Sequence, residues 1–356
     1  MAKSKILMTG NEAIALGAID AGCRFYAGYP ITPQNELTAF MAKNMPKAGG
    51  VFIQAESELA AVNMVLGASA AGARAMTSSS SPGISLKQEG ISYIAGCRLP
   101  AVIVNVMRGG PGLGNIMPAQ SDYFQATRSG GHGDYHCLVL APYSVQEAYD
   151  FMFKAFALAD KYRNPVMILG DGMLGQMMEP LQLSDNRKTG NQKPKTKIWM
   201  LTGCRGRKPN VVKSFYLQEG DLEKFNLTLQ KEYRLIRQNE QLYEGIFLKD
   251  AKIIIVAYGT MARIAKGAVK KLRKAGKKIG LIRPISLWPF PGNIFRRLAA
   301  SPKRLSFLVV EMSYGQMIED VLLSLNGKSP VEFLGRSGGG IPSEEEIINK
   351  IKILMK

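Results

Sequence analysis

Two carboxylates, Glu56 and Glu58, lie between an apolar segment and a run of small residues in FIQAESELAAVNMVLGASAAGARAMTSSSSPG, residues 52–83. A strand, an acid at its exit, a helix of small residues and a second strand make a βαβ unit with a charge at its edge. Ligands of such sheets bind beyond the carboxyl ends of the strands. An acid at this point therefore predicts a role in binding or catalysis.

Three further polar or glycine-rich loops follow predicted strands. They are YPITP at residues 29–33, TSSSSPG at residues 77–83, and VMRGGPGLGNIMPAQSDYFQ at residues 106–125, in which Arg108 stands among glycines. Because the carboxyl ends of parallel strands meet at one edge, we expect these loops to converge on a single crevice. That crevice would hold a carboxylate, a hydroxyl and one guanidinium, with little competing charge.

The glycine-rich turns do not match a nucleotide-binding motif, because GGPGLG lacks the GxGxxG spacing and no Lys-Ser/Thr pair follows. SGGHGDYH, residues 129–136, holds both histidines, and without a third ligand it fits a hydrogen-bonded loop better than a metal site. Gly170-Asp171-Gly172 resembles the start of a thiamine-diphosphate motif. The next asparagines, Asn186 and Asn191, come too early for it, and Glu179-Pro180 interrupts the required helix. We expect a strand-terminal turn instead.

Composition predicts an ordinary globular protein. The chain has 356 residues, 46% hydrophobic and 21% charged, which is enough for two or three domains. No apolar run approaches the roughly 18 residues of a membrane span, and the first residues do not resemble a signal peptide, so we expect a cytoplasmic protein. The cysteines form no CxxC pair, so we predict buried reduced thiols, with any iron–sulfur cluster on another polypeptide; they are Cys23, Cys97, Cys137 and Cys204.

The net charge of +18 is unevenly distributed. Residues 1–150 carry ten basic and ten acidic residues, whereas residues 260–304 carry thirteen basic residues and no acid. A basic surface attracts nucleic acid, anionic metabolites or an acidic protein. No nucleic-acid-binding motif accompanies these lysines, so we expect no nucleic-acid partner. A non-catalytic interaction or nucleic-acid-binding protein remains the alternative from a different functional class.

Helical and strand-like segments alternate as far as Pro180, which predicts a doubly wound α/β domain over residues 1–180. In this alternation the helix after YPITP is predicted over residues 32–45. Residues 181–250 form a polar segment rich in Lys and Asn, with a charged helix predicted near residues 221–243. We expect this stretch to be a connecting segment with a helical arm. A second α/β domain is predicted over residues 251–356. Ser144 with Glu147, and Ser343 with Glu346, have the spacing of capping boxes.

The motifs YPITP, QAESELAA, SPGISL, RGGPGLGN…QSDYFQ and GHGDY together resemble the alpha subunit of 2-oxoacid:ferredoxin oxidoreductases, nearest the 2-oxoisovalerate (branched-chain) type. The match runs from Gly10 to Pro180 and resumes at VAYGTMAR, LIRPISLWPFP and VEMSYGQM. The resemblance implies two doubly wound α/β domains. One is a thiamine-diphosphate pyrimidine-binding domain, and the other is similar to the carboxy-terminal domain of transketolase.

The resemblance also implies a reaction and partners. The family oxidises a 2-oxo acid, here 2-oxoisovalerate, with coenzyme A to acyl-CoA, CO₂ and reduced ferredoxin, and the chain would be active only with partner subunits. A beta subunit would hold the diphosphate and Mg²⁺, and gamma and ferredoxin-like delta subunits would add iron–sulfur clusters. We expect no membrane partner. The basic second half could face coenzyme A, ferredoxin or a sister subunit.

The family's catalytic glutamate lies nine residues before a small-residue patch, and counting back from Gly67 gives Glu58, with Glu56 as a structural neighbour. Its carboxyl group, hydrogen-bonded to N1′ of the aminopyrimidine, would favour the imino tautomer, whose nitrogen removes the proton from the reacting carbon. The alternative for Glu58 is an exposed carboxylate that interacts with a helix dipole.

Arg108 resembles the family's arginine for the substrate carboxylate, since a guanidinium fork matches a carboxylate. Thr32 would hydrogen-bond an oxygen of the substrate, and its alternative is a helix N-cap.

The 2-oxoglutarate-specific type remains the alternative enzyme. Its substrate calls for a second cation, whereas the text after Arg108 is apolar. No metal ligand is expected, and the pocket loops supply further residues: for the cofactor Tyr29, Pro30, Ser81, Gly83, Asn115 and Asp122, and as further lining Gln120, His132 and Asp134.

Overall fold

The computed structural model of the chain describes residues 5–185, 187, 197–302 and 304–355. Asn186, Asn191 and much of the Lys- and Asn-rich text lie outside these residues, as does Lys303 of the basic segment. The strands are β1 Lys5–Thr9, β2 Phe25–Gly28, β3 Val51–Gln54, β4 Ala75–Ser79, β5 Ala101–Met107, β6 Leu138–Leu140, β7 Pro165–Asp171, β8 Met178–Gln182, β9 Tyr243–Ile246, β10 Ile253–Val256, β11 Ile279–Pro284, β12 Ser286–Trp288, β13 Ser306–Glu311 and β14 Val331–Gly335.

Twelve α-helices lie between these strands in the described part of the chain. They are α1 Gly10–Asp20, α2 Asn35–Asn44, α3 Glu58–Ala70, α4 Ser81–Gly96, α5 Tyr123–Thr127, α6 Val145–Tyr162, α7 Gly172–Gln176, α8 Asp221–Asn239, α9 Gly259–Lys274, α10 Gly292–Ala299, α11 Met317–Leu325 and α12 Glu344–Leu354.

The first sheet has seven strands in the order β12-β6-β7-β5-β4-β2-β3, all parallel except β12. Its central strands β4, β5 and β7 are buried along their whole length, because helices cover both faces and leave no side for water. This confirms the predicted doubly wound α/β architecture. Strands β1 and β8 form a separate antiparallel pair.

The second sheet has five strands in the order β14-β13-β10-β11-β9, with only β9 antiparallel. Alternate residues of β10 enter different cores, as period-two side chains must. Ile253 and Ile255 pack in a core with α9 and α12, whereas Ile254 and Val256 join the large core that includes α10, α11 and the first sheet. Helices therefore cover both faces of this sheet as well.

The two sheets are joined by the chain itself, because β12 leaves the second unit and pairs with β6 of the first. The large core is continuous across this junction. The crevice at the end of the first sheet is therefore held against the second unit by both backbone pairing and apolar packing. No helix in the described ranges is long and apolar enough to cross a membrane.

Two of the expected element ends are wrong. The first predicted helix after YPITP begins at Asn35 rather than at Thr32, and Gln34 is its N-cap residue. The charged helix ends at Asn239, because Tyr243 starts the edge strand β9. In the first case, side chains from elsewhere bind the carbonyl oxygens of Thr32 and Pro33. In the second, the chain pairs with β11.

The capping box at Ser343 is confirmed, but the one at Ser144 is only half formed. Ser144 accepts from the backbone N–H of Glu147. The carboxylate of Glu147 instead accepts from the backbone of Tyr143 and from both terminal nitrogens of Arg283. Because Glu147 pairs with the buried Arg283 of the second unit, its carboxylate does not bond back to the backbone N–H of Ser144, and the capping box is incomplete.

The cysteine prediction holds in part. All four are free, and Cys23 and Cys137 are buried, where desolvation raises the pKa of each thiol to about 12. Cys97 is half-buried, and Cys204 is exposed, which corrects the expectation for that residue. Cys204 lies in the irregular stretch before α8, where no sheet or helix covers it.

Candidate active site

The loops after β2, β3, β4 and β5 meet at the carboxyl edge of the first sheet, because these strands are parallel neighbours. Helices α3 and α4 both begin at this edge. The predicted convergence of the four loops on one crevice is therefore what the topology produces.

Glu58 is the first residue of α3 and is only 6% exposed, whereas Glu56, two residues earlier, is exposed. Ser57 caps the helix by accepting from the N–H of Ala60 at 3.1 Å. Ser57 thus satisfies one of the N–H groups that the first turn of the helix leaves free. The alternative of an exposed carboxylate on a helix dipole does not describe Glu58.

Gly83, in the first turn of α4, packs directly on the Glu58 carboxylate. A Cβ atom at position 83 would lie 2.5 Å from Glu58 Oε1 and would also overlap Ser79 Oγ. Among the described residues no side chain or backbone group donates a hydrogen bond to the Glu58 carboxylate, and the hydroxyls of Thr77, Ser79 and Ser80 are buried without a partner. A buried acid with no donor beside unpartnered hydroxyls is suited to a polar ligand.

Lys87 lies one turn further along α4 and is completely buried. Its Nζ donates to the backbone carbonyl oxygen of Glu58 at 3.2 Å. Burial lowers the pKa of Lys87 to about 8, and attraction to Glu58 opposes this loss of the proton. Sequence reasoning missed Lys87, although its i+4 spacing from Gly83 places both on one helix face.

Arg108 follows β5 and is 7% exposed. Its Nη1 donates to the carbonyl oxygen of Thr32 at 3.0 Å and its Nη2 to that of Leu113 at 3.1 Å, while Nε is buried without a partner. The Thr32 hydroxyl accepts from Asn35 Nδ2 at 3.1 Å and caps no helix N–H, so the N-cap alternative is wrong. The structure thus brings Thr32 and Arg108 together.

Ser81 and Asp122 contact each other behind Arg108. The Ser81 hydroxyl donates to the Asp122 carboxylate at 2.6 Å and accepts from the backbone N–H of Arg108 at 3.0 Å. Asn105, which sequence reasoning did not select, donates to the same carboxylate at 2.9 Å. Burial raises the pKa of Asp122, although these two hydrogen bonds act in the opposite direction. The group fixes the start of α4 relative to β5.

Residues 109–118 form a glycine-rich loop that the second unit holds. Asn115 Nδ2 donates to the carbonyl oxygen of Gly338 at 3.0 Å. Just beyond the loop, the amide of Gln120 donates to the Tyr258 carbonyl and accepts from the Met312 N–H, both at 3.0 Å. Gln120 therefore fastens the two units and does not line the crevice.

The surface of this edge is partly apolar. Tyr29 and Pro30 are exposed after β2. On the glycine-rich loop Leu113 is 81%, Ile116 60% and Met117 49% exposed. Side chains of this kind beside a buried acid and a buried arginine suggest that another surface covers the crevice.

The remaining candidates lie elsewhere. His132 and Asp134 line a cavity beside α8, and His132 meets the ring of Tyr93 edge-on. His136 stacks on Trp288 at 4.4 Å, and burial together with nearby arginines lowers its pKa to about 4. No group of three metal-ligating side chains occurs in the described ranges.

Asp171 has the role expected of a strand-terminal turn. It accepts from the N–H groups of Met173 and Leu174, both at 3.0 Å, and caps α7. It also accepts from the hydroxyl of Thr260 in the second unit at 2.9 Å. All three hydrogen bonds are accepted by the same oxygen, Oδ1.

Comparisons with known families agree with this geometry. A family model described as pyruvate flavodoxin/ferredoxin oxidoreductase, thiamine diphosphate-binding, matches residues 16–209. A second, described as pyruvate:ferredoxin oxidoreductase core domain II, matches residues 251–347.

Several curated proteins are similar over nearly the whole chain. Ketoisovalerate oxidoreductase subunit VorB of Methanothermobacter marburgensis is 50% identical over 346 residues, covering 97% of each chain. The 2-oxoglutarate synthase subunit KorA of Methanocaldococcus jannaschii is 38% identical and covers 96% of this chain and 97% of its own.

Solved structures share the fold. The 2-oxoglutarate:ferredoxin oxidoreductase from Magnetococcus marinus, solved with 2-oxoglutarate, coenzyme A and succinyl-CoA bound, has a TM-score of 0.88 at 27% identity, over 99% of this chain and 66% of that chain. This chain therefore spans about two thirds of the length of that one. A split-gene transketolase has a TM-score of 0.58 at 15% identity and shows the shared fold alone.

Proposed function

Because the chain belongs to the 2-oxoacid:ferredoxin oxidoreductase family, we propose that it is the alpha subunit of an enzyme for branched-chain 2-oxo acids. The enzyme oxidises 2-oxoisovalerate with coenzyme A to acyl-CoA, CO₂ and reduced ferredoxin. The observation that carries this proposal is the buried Glu58 carboxylate, which faces Gly83 and has no hydrogen-bond donor in the described part of the chain.

The residues around Glu58 fit the pyrimidine ring of thiamine diphosphate. The carboxylate accepts no hydrogen bond in the described part of the chain and is therefore available to a ring nitrogen, and the hydroxyls of Ser79 and Ser80 at the end of β4 are buried without a partner. Gly83 allows α4 to approach this acid closely, since a Cβ atom there would collide with Glu58. When bound, thiamine diphosphate supplies the carbon nucleophile for the 2-oxo group and accepts the electrons that CO₂ leaves behind.

Glu58 holds the proton at N1′ of the pyrimidine and thereby promotes the imino form of the exocyclic amine. A buried acid suits this role because water does not compete for the hydrogen bond. We assign the diphosphate and Mg²⁺ to a beta subunit. The support is that Asp171, the acid of the GDG turn, is already engaged as an N-cap and by Thr260.

Arg108 and Thr32 bind the carboxylate and oxo oxygens of the substrate. Carbonyl oxygens engage two of the five N–H donors of the Arg108 guanidinium, and Nε has no partner, so donors remain for the substrate. The Thr32 hydroxyl retains its proton for a second hydrogen bond. Tyr29, Pro30 and Asn115 complete the rim, while Ser81 and Asp122 fix the backbone of Arg108 from behind.

The substrate side chain is expected to be apolar. The loop next to Arg108 presents Leu113, Ile116 and Met117, and it carries no second cation for a distal carboxylate. The relatives that are 50% identical to this chain are named ketoisovalerate oxidoreductase subunits. Those named 2-oxoglutarate synthase subunits are 38% identical. A 2-oxoglutarate-specific enzyme is the second candidate.

We infer that the exposed apolar loop packs against the beta subunit, and that gamma and delta subunits carry the iron–sulfur clusters that pass electrons to ferredoxin. The dispersed cysteines support this division, because they provide no cluster ligand set. They also support a cytoplasmic location, where thiols remain reduced.

The test is to co-express the chain with the neighbouring subunits and assay coenzyme A-dependent viologen reduction with 2-oxoisovalerate, 2-oxoglutarate, pyruvate and indolepyruvate. We expect kcat/KM to be highest for 2-oxoisovalerate. Glu58→Gln should lower kcat by roughly 10²- to 10⁴-fold while the complex still assembles. Glu56→Gln, at an exposed acid two residues away, is the matched control and should retain activity. Full activity of Glu58→Gln, or a preference for 2-oxoglutarate, contradicts the corresponding part of the proposal.

A further inference from the structure

Lys87 is the one fully buried lysine in the described part of the chain, and its only charged contact is with the first residue of α3. An ammonium group without water is costly to bury unless it is paired or hydrogen-bonded. Its hydrogen bond goes to the carbonyl oxygen of Glu58 at 3.2 Å. Burying the Lys87 ammonium group therefore costs folding free energy, and such a cost is typical of residues that serve a function.

The surroundings of Lys87 leave Glu58 as its counter-charge. Helix α3 carries no other charged residue, and strands β4 and β5 beneath α4 carry none. On β7 the only ionisable residue is Asp171, which is bonded to Thr260 and to the start of α7. On α4 itself, Glu89 is exposed and accepts from the hydroxyl of Tyr93. The histidine of the neighbouring loop, His132, is exposed.

Lys87 contacts the backbone of Glu58, whereas Gly83 contacts its carboxylate. Lys87 and Gly83 lie one turn apart on α4. The same helix face therefore fixes the main chain of Glu58 and shapes the space around its acid. A cation also lies near the positive end of α3, where it is unfavourable unless the Glu58 carboxylate is charged.

We propose that Lys87 is a positioning residue for the reaction: its ammonium group holds the first turn of α3, and with it the Glu58 carboxylate, at the angle that the pyrimidine requires. This inference rests on the proposed function of Glu58. It adds a residue that acts through Glu58 and touches neither substrate nor cofactor. Protonated Lys87 attracts the Glu58 carboxylate and donates a strong hydrogen bond to the carbonyl oxygen of the same residue, whereas loss of the proton removes the attraction and weakens the hydrogen bond.

The test compares Lys87→Met with Lys154→Met in the assembled complex. Methionine has nearly the volume of lysine and removes a buried charge, so the variant should fold. Lys154 is exposed on α6 and serves as the matched control. Thiamine diphosphate affinity is measured by calorimetric titration between pH 7 and 10, and 2-oxoacid-dependent viologen reduction is measured over the same range.

We expect Lys87→Met to weaken thiamine diphosphate binding about tenfold or more at pH 7, in line with the loss of a hydrogen bond from a charged donor. The turnover number should fall with it, whereas KM for the oxo acid should stay within about twofold, because Arg108 and Thr32 are untouched. In the wild type, affinity should also fall as the pH rises past about 8, where Lys87 loses its proton. In Lys87→Met this alkaline decline should be absent.

Thiamine diphosphate affinity and an alkaline limb identical to those of Lys154→Met would overturn the proposal. So would a Lys87→Met variant that raises KM for the oxo acid and leaves thiamine diphosphate binding intact. These results differ from a failure of the proposed function, in which the wild-type complex oxidises no 2-oxo acid at all.

Discussion

At the residue scale, Arg108 owes its position to bonds that do not involve a ligand. Two of its terminal nitrogens are held by the carbonyl oxygens of Thr32 and Leu113, and its backbone N–H is held by Ser81. The guanidinium is therefore fixed before a substrate arrives, and its Nε is buried without a partner.

We expect Arg108→Lys to raise KM for 2-oxoisovalerate by roughly 10- to 100-fold, because an ammonium group cannot span both carbonyl oxygens and still reach the substrate. The turnover number should change less, and steady-state viologen reduction separates the two effects. Arg74→Lys is the matched control. Arg74 pairs with Asp160 at 2.8 Å before β4 begins, at the opposite edge of the sheet. An unchanged KM in Arg108→Lys rules out the assigned contact.

Which residues could be predicted from sequence depends on how they act. Glu58, Thr32 and Arg108 lie in motifs at the ends of strands, so their placement at one edge of the sheet was predictable. Their roles were implied by the family resemblance and stay predictions. Lys87 and Asn105 act through contacts that cross from one element to another, and their sequence neighbourhoods carry no such sign. Gln120 was misplaced for the same reason, since its partners Tyr258 and Met312 lie far along the chain.

At the scale of elements, the start of α4 limits the shape of the site. Its first turn is bonded to β5 through Ser81 and pressed against α3 through Gly83. Any side chain at position 83 must displace Glu58 or Ser79. The glycine is thus required by close approach and not by its backbone angle.

We expect Gly83→Ala to destabilise the chain by about 1–3 kcal/mol through overpacking and to weaken thiamine diphosphate binding by moving the Glu58 carboxylate. Urea unfolding and calorimetric titration measure the two effects. Gly67→Ala in α3 is the matched control, because a Cβ there meets nothing within 4 Å. That control should gain about 0.5–1 kcal/mol from helix propensity. Equal thiamine diphosphate affinity in both variants would mean that Gly83 does not shape the surroundings of the Glu58 carboxylate.

The alternation of helices and strands was predictable because buried parallel strands are short and apolar on both faces. Their ends were less so. The shift of the α2 start from Thr32 to Asn35 accompanies hydrogen bonds from Arg108 and Asn11 to the carbonyl oxygens before the helix. The half-formed box at Ser144 accompanies the pairing of Glu147 with Arg283. The edge strands β9 and β12 are brief and take their strand form from pairing with β11 and β6.

At the scale of the whole molecule, contacts between the two units hold the loops that form the crevice. Strand β12 enters the first sheet, Gln120 bonds across the junction, and Asn115 ties the glycine-rich loop to Gly338. Weakening the junction should therefore loosen the loop that flanks Arg108. Arg283 is a buried charge shared between the units, and its substitution measures how much the junction contributes to the free energy of unfolding.

Arg283 donates to both carboxylate oxygens of Glu147 at 2.8 Å and, through Nε, to Glu244 at 2.9 Å. Its side chain is 4% exposed. We expect Arg283→Met to lower the free energy of unfolding by about 3 kcal/mol at pH 7, near the low end of the range for breaking a buried pair because both acids are partly exposed. Lys224→Met breaks an exposed pair with Asp221 and should cost at most about 0.5 kcal/mol.

The pH dependence separates pairing from packing. Burial acts to raise the pKa of Glu244, but hydrogen bonds and charges from Lys266 and Arg283 outweigh it and hold the pKa below its usual 4.5. The unfolded chain therefore binds more protons than the folded chain below about pH 4.5, and stability increases with pH in that window. The contribution is complete above it and is lost as the pH falls through the folded pKa. The difference between wild type and Arg283→Met in urea unfolding should thus be full at pH 7 and smaller at pH 4. A difference that stays constant between these pH values would mean that Arg283 acts through its contact with Tyr143, whose ring it covers at 4.2 Å, and not through its pairing with the acids.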